Sequence, residues 1–241
     1  MNNKLTQNNF FLIIYGILLV THLTGIYLTN TIFVTITKPM LVGSLIIYAC
    51  FTSREKANYK SSVAIFRAAL IASLLGDILL IPQGDNFFLL GLASFFVVHI
   101  CYITLLFNVA QRKFYFNVIN IVAISLITIL IASLLTLLWS TMSYLRIPIL
   151  IYSITIGLMA LLAINSASSP VVSFDKATLL TSGSLLFIIS DASLGLHKFL
   201  HLESVLSHIF VMLTYGLAQL LLVKGFLRTS NSNLPIFPKT I

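Results

Sequence analysis

Eight apolar stretches run through this chain, at about residues 10–28, 32–51, 63–81, 87–109, 118–138, 146–164, 177–197 and 204–224, with short polar connectors between them. Each is close to the roughly 20 residues that cross about 30 Å of hydrocarbon. Lipid offers no partner to backbone N–H and C=O groups, so each stretch must satisfy its own by forming a helix. The expectation is an all-α polytopic membrane protein of about eight transmembrane helices. It forms a single integral membrane domain over residues 1–241, with almost no room for a soluble one.

Composition agrees: 59% of residues are apolar, 8% are charged and the mean hydropathy is +1.04, far from the values of soluble domains. The first stretch follows Lys4 as a signal peptide would, yet it is too long and no small-residue cleavage site follows, so it reads as a span. A net charge of +8 would fit nucleic acid, but the basic residues fall in connectors, where they set orientation. One side carries Lys4, Arg54, Lys56, Lys60, Arg112, Lys113, Lys176, Lys224, Arg228 and Lys239, and the other only Arg146 and Lys198. Both termini are therefore expected in the cytoplasm, and no nucleic acid is expected as a partner. The cluster 54–60 also suits anionic lipid heads. Cys50 and Cys101 lie inside apolar runs and form no disulfide framework. The tail 230–241, with Pro235 and Pro238, reads as a flexible end.

The informative residues are those that lipid should reject: Lys38, Asp77, His99 and Asp191, with Tyr102, Tyr215 and Gln219 as polar company. A charge at mid-bilayer costs about 2.5–3.5 kcal/mol even on the lenient insertion scale, so such groups normally face a protein-lined cavity. At 1.5 Å per residue, Lys38, Asp77 and Asp191 all fall roughly 6–9 Å below the non-cytoplasmic ends of their stretches. Three spans thus deliver charge to one layer. His99 lies deeper and shares a helical face with Tyr102, while Tyr215 and Gln219, four apart, share another.

Structural readings stand beside these. Lys38 precedes Pro39 and would satisfy carbonyls freed by a proline kink. The two aspartates would pair with Lys38 and Lys198, and His99, Tyr102, Tyr215 and Gln219 would hydrogen-bond between helices. Asp77 in SLLGDILL and Asp191 in FIISDASL each lie on the third span of a four-span half, as a parallel duplication would place them.

Soluble-enzyme signatures are missing: there is no phosphate-binding or dinucleotide-binding glycine loop, no HExxH, no CxxC and no GxSxG. His197 and His201, four apart, with Glu203 and His208 beyond, have metal-ligand spacing, but the segment leaves the membrane. The expectation is that no metal or other cofactor is used.

The polar positions occur in TKP around Lys38, SLLGDILL around Asp77, GLASFFVVHICY ending in His99 and Tyr102, GSLLFIISDASLGLHKF with Ser190, Asp191 and Lys198, and TYGLAQLLLV with Tyr215 and Gln219. In that order, each in its own span, they resemble the YhhN-type lysoplasmalogenase family across most of the chain. The resemblance implies hydrolysis of the vinyl ether bond of lysoplasmalogens to a fatty aldehyde and glycerophosphocholine or glycerophosphoethanolamine. It further implies Asp77 and Asp191 as the catalytic pair, and Lys38, His99, Tyr102, Ser190, Lys198, Tyr215 and Gln219 around a lysophospholipid drawn from the bilayer. Two departures bear on head-group or chain preference: Thr214 replaces an aromatic beside Tyr215, and His197 precedes Lys198 where a smaller polar residue is common.

Residue chemistry points the same way. Vinyl ether hydrolysis needs a neutral acid and an anionic base or stabiliser, roles two close carboxyls can divide, as in glycosidases. Paired intramembrane acids with a lysine equally suit a proton-coupled transporter, and a non-catalytic lipid-binding protein would need the cavity alone. Oligomeric state is not legible.

Overall fold

The computed structural model describes residues 2–52, 60–202 and 204–230. The side chains of Lys4 and Lys60, the connector with Arg54 and Lys56, Glu203, and the tail 231–241 with Lys239 lie outside the described residues. Among these there are eight helices and no strand: α1 (Asn2–Tyr27), α2 (Thr31–Thr52), α3 (Lys60–Leu79), α4 (Asp85–Val109), α5 (Val118–Leu138), α6 (Arg146–Ala167), α7 (Phe174–Leu200) and α8 (Val205–Ser230). All eight are long and apolar enough to cross a membrane. The expected all-α, eight-span architecture is therefore what the chain adopts.

Helix ends depart from the hydropathy limits where charge favours helix. Hydropathy ends the seventh stretch at His197, but α7 starts at Phe174 and runs to Leu200, with Asp175 in its first turn and His197 and Lys198 in its last. Those charges complement the helix dipole at each end, so polar residues extend the helix instead of stopping it. His201 then caps it in the left-handed conformation. On α3 the helix ends at Leu79, two residues after Asp77. Asp191 instead lies nine residues before the end of α7, about 13 Å of helix. The helices thus run on for different lengths beyond the two carboxyls, and both still line one cavity, with Leu80 to Gly84 of the α3–α4 connector beside them. Gly84, at φ 120°, allows that turn, a backbone state L residues avoid.

The bundle core sits where α3 meets α4, α7 meets α8, and α4 meets α6. Small residues let these helices approach. A Cβ on Gly76 would come within 2.7 Å of the Phe95 ring, and one on Gly183 within 3.1 Å of the Ala218 carbonyl on α8. Outward, Ile121, Leu126 and Ile129 on α5 and Ile13, Ile17 and Val20 on α1 are exposed, as lipid-facing positions should be.

An asparagine cluster fixes one end of the bundle. Asn165 Nδ2 donates to the Lys113 carbonyl at 2.9 Å, and its Oδ1 accepts from the Tyr115 N–H at 2.8 Å and from Asn120 Nδ2 at 3.1 Å. Asn117 caps α5 by accepting from the Asn120 N–H, and donates to Ser168 Oγ at 2.8 Å. The α4–α5 connector is thereby held to the end of α6. Asn165→Ala strands the Tyr115 N–H and the Lys113 C=O, while Asn120 Nδ2 keeps the Tyr115 carbonyl, so stability should fall by about 1–3 kcal/mol. The check is the thermal midpoint in detergent.

Candidate active site

Seven helices, α2 to α8, converge on a cavity of about 690 Å³, within the range of small-ligand sites. Lys38 on α2, Asp77 on α3, Tyr152 on α6, Ser190 and Asp191 on α7, and Tyr215 on α8 all line it. Leu130, Ile131, Leu134 and Leu135 on α5 give it an apolar wall. The two carboxylates thus face a common space, each held from behind by a phenol.

On one side, Tyr215 Oη donates to Asp77 Oδ2 at 2.9 Å. Gln219 Nε2 donates to Tyr215 Oη at 3.2 Å and to Ser73 Oγ at 3.1 Å. Tyr15 on α1 donates to the Gly216 carbonyl at 2.7 Å and steadies this part of α8. Ser73, Asp77, Tyr215 and Gln219 are all buried, joined in one polar chain in which Gln219 Oε1 alone has no hydrogen-bond partner among the described residues. The spacing of four between Tyr215 and Gln219 places both on one face, as the sequence indicates. Lys38 adds positive charge to the same cavity without a hydrogen bond or ion pair among the described residues. Beside it, His22 Nδ1 meets Thr37 Oγ1 at 2.8 Å and ties α1 to α2. The Thr37 hydroxyl proton goes to the Phe33 carbonyl, so His22 is the donor in that pair.

On the other side, Tyr152 Oη donates to Asp191 Oδ2. His99 Nε2 lies 2.9 Å from Tyr152 Oη and 3.8 Å from Asp191 Oδ2. A phenol has one proton, and Tyr152 gives it to Asp191; the bond from His99 is therefore donated by Nε2–H. The order His99, Tyr152, Asp191 is a directed hydrogen-bond wire ending in the cavity. Phe95 and Phe187 stand edge-on between the two arms, each against Tyr215, with Phe187 also 5.0 Å from the His99 ring. They keep the floor dry and the arms apart.

Tyr152 is absent from the residues the sequence points to, although a signal exists. It stands 39 residues before Asp191, the separation that Lys38 has from Asp77. The register that aligns the two aspartates in a parallel duplication therefore sets Tyr152 opposite Lys38.

Other expected residues fall elsewhere. Tyr102 does not line the cavity: its ring stacks on Phe226 at 5.2 Å and its buried hydroxyl has no hydrogen-bond partner among the described residues. His99 is itself fully buried and reaches the cavity only through Tyr152. Ser190 is a cavity residue whose Oγ donates to the Val211 carbonyl at 3.1 Å, joining α7 to α8. Lys198 pairs with Asp85 at 2.8 Å, which also accepts from Tyr144 Oη at 3.0 Å; it is not the counter-ion of Asp191. Among the described residues no group of three or more His, Cys, Asp or Glu is placed to hold a metal ion.

No curated protein and no solved structure shows significant similarity to the chain. A family profile does: it spans residues 33–226, from the turn of α2 before Lys38 to the last turns of α8, and so takes in both arms of the cavity. On that match the chain belongs to the YhhN family, the family of lysoplasmalogenases.

Proposed function

We propose that this protein hydrolyses the vinyl ether bond of lysoplasmalogens, releasing a fatty aldehyde and glycerophosphocholine or glycerophosphoethanolamine. The observation that carries the reading is the pair of phenol-held carboxylates facing one cavity with an apolar wall. Family membership supports it.

The chemistry asks for two carboxyls in different states. A neutral acid protonates the β carbon of the vinyl ether, leaving an oxocarbenium ion at the α carbon. Water adds there and gives a proton to a carboxylate. The hemiacetal then expels the glycerol oxygen, which takes the proton held by that carboxylate, while the hemiacetal hydroxyl gives its own proton to the spent acid and becomes the aldehyde carbonyl. Asp191 is the acid in this scheme, its carboxyl oriented by Tyr152, which His99 holds in turn, and the hemiacetal hydroxyl returns the proton it delivers. Asp77 is the base that receives the proton of water, with Lys38 offsetting its charge. Tyr215 and Gln219 fix its orientation. Water is the one reagent besides the lipid.

With the basic connectors read as cytoplasmic, both termini lie in the cytoplasm and the carboxylates nearer the opposite leaflet. A single-chain lipid leaves its tail along the α5 wall and brings its ether to the carboxylates. In micelles containing lysoplasmalogen, the purified protein should release fatty aldehyde, while the saturated ether analogue, which has no carbon to protonate, should be inert. Absence of aldehyde from lysoplasmalogen, with substrate-dependent proton movement in sealed vesicles, would instead identify a transporter.

A further inference from the structure

Resting on the hydrolase reading above, we infer that His197 and His208, beside Lys198, form the subsite that holds the phosphate of the lysophospholipid head group.

The two rings meet edge to face, with centroids 4.1 Å apart, where the last turn of α7 faces the first turns of α8. Both line the cavity that holds Asp77 and Asp191. His197 Nε2 is shut away from solvent and has no hydrogen-bond partner among the described residues. A basic residue that only capped α7 or reached for the membrane surface would leave its nitrogen in water. This one is closed in without a mate, on a residue that lines the cavity.

The spacing matches the substrate. His197 lies six residues beyond Asp191 on α7, and His208 seven before Tyr215 on α8, so the rings stand about 9–10 Å along the bundle from the carboxylate layer. In a lysoplasmalogen seven bonds separate the β carbon from phosphorus, about 8 Å when extended at the reach of a backbone chain. A hydrogen bond at each end closes the remainder. A phosphodiester anion taken out of water needs N–H donors that meet it together, and two neighbouring imidazoles can present them. Lys198 already balances Asp85, which leaves the histidines as the donors to phosphate. Lys38, in the carboxylate layer, is then too deep to serve the same phosphate.

The test is equilibrium binding in mild detergent of radiolabelled 1-O-alkyl-lysophosphatidylethanolamine, a saturated ether that is not cleaved, against the matching 1-O-alkylglycerol, which lacks phosphate. The wild type should prefer the phospholipid by at least about tenfold, and His197→Asn/His208→Asn should bring the ratio near one. His208→Lys, which keeps a cationic donor, should retain most of the preference and guards against a result caused by misfolding. Equal affinities in the wild type, or a preference that survives the double Asn variant, would overturn the subsite. Inorganic phosphate and glycerol 3-phosphate should compete only at far higher concentration, since neither uses the apolar wall; strong competition by either would replace the lipid head group with a soluble phosphate as the occupant. Aldehyde release from lysoplasmalogen by the same preparation is scored separately. Preference without aldehyde defeats the hydrolase reading alone, and aldehyde without preference defeats the subsite alone.

Discussion

Asp77→Asn and Asp191→Asn should each lower the rate of aldehyde release by about 10³-fold or more while leaving the protein folded, because general acid and base groups each contribute roughly 10²–10⁴ and these two act in sequence on one bond. The asparagine amide keeps the shape of the carboxyl and can still accept from the phenol behind it, so Tyr215 and Tyr152 stay in place. What it cannot do is exchange a proton with the substrate or with water. The double variant should be scarcely slower than either single one, since once one member of a working pair is lost the other has little left to do. Rates are read as aldehyde formed per minute in micelles, with the thermal midpoint of each variant as the folding control. Full rate in either single variant would sink the two-carboxylate scheme. A loss of rate that tracks a loss of folded protein would reduce that aspartate to a structural role.

The architecture and the two aspartates were legible because both follow from cost. Lipid forces every apolar stretch into a helix, so eight stretches mean eight helices, and it penalises charge so heavily that Asp77 and Asp191 stand out without any comparison. Residues whose placement turns on a rotation of the helix were less legible. His99 and Tyr102, three apart, are separated by about 60° around the helix axis. That is enough to aim the histidine at Tyr152 and to stack the tyrosine on Phe226, so the expectation that both line one cavity holds for neither directly. Tyr152 carries no charge and sits in an apolar run, where a tyrosine ordinarily marks packing or an interface. Only the repeat register, which pairs it with Lys38, gives it away. The structural alternative that pairs Lys198 with Asp191 fails because Asp85, far along the chain, is brought to Lys198 by the packing of the bundle.

Removing one oxygen at Tyr152 separates a relay from a scaffold. If Tyr152 returns protons from His99 to Asp191, Tyr152→Phe should lower kcat by about 10²-fold with KM nearly unchanged, since general acid–base steps are worth at least that much and the phenyl ring still fills the space. His99→Gln should produce a loss of similar size. Combined, the two changes should be no worse than Tyr152→Phe alone, because a wire cut at its middle gains nothing from its far end. A structural role predicts something else: two buried hydrogen bonds lost one after the other would lower the thermal midpoint stepwise, and their effects on rate would multiply. The solvent also distinguishes the roles, because a relay carries its proton through two further transfers. In deuterium oxide the wild type should slow more than Tyr152→Phe does, if the variant is left to recharge Asp191 directly from water. Unchanged kcat in Tyr152→Phe would leave Asp191 as an acid that needs no relay, and the 17% of its side chain that is exposed, against 1% for Asp77, would then be its route to a proton.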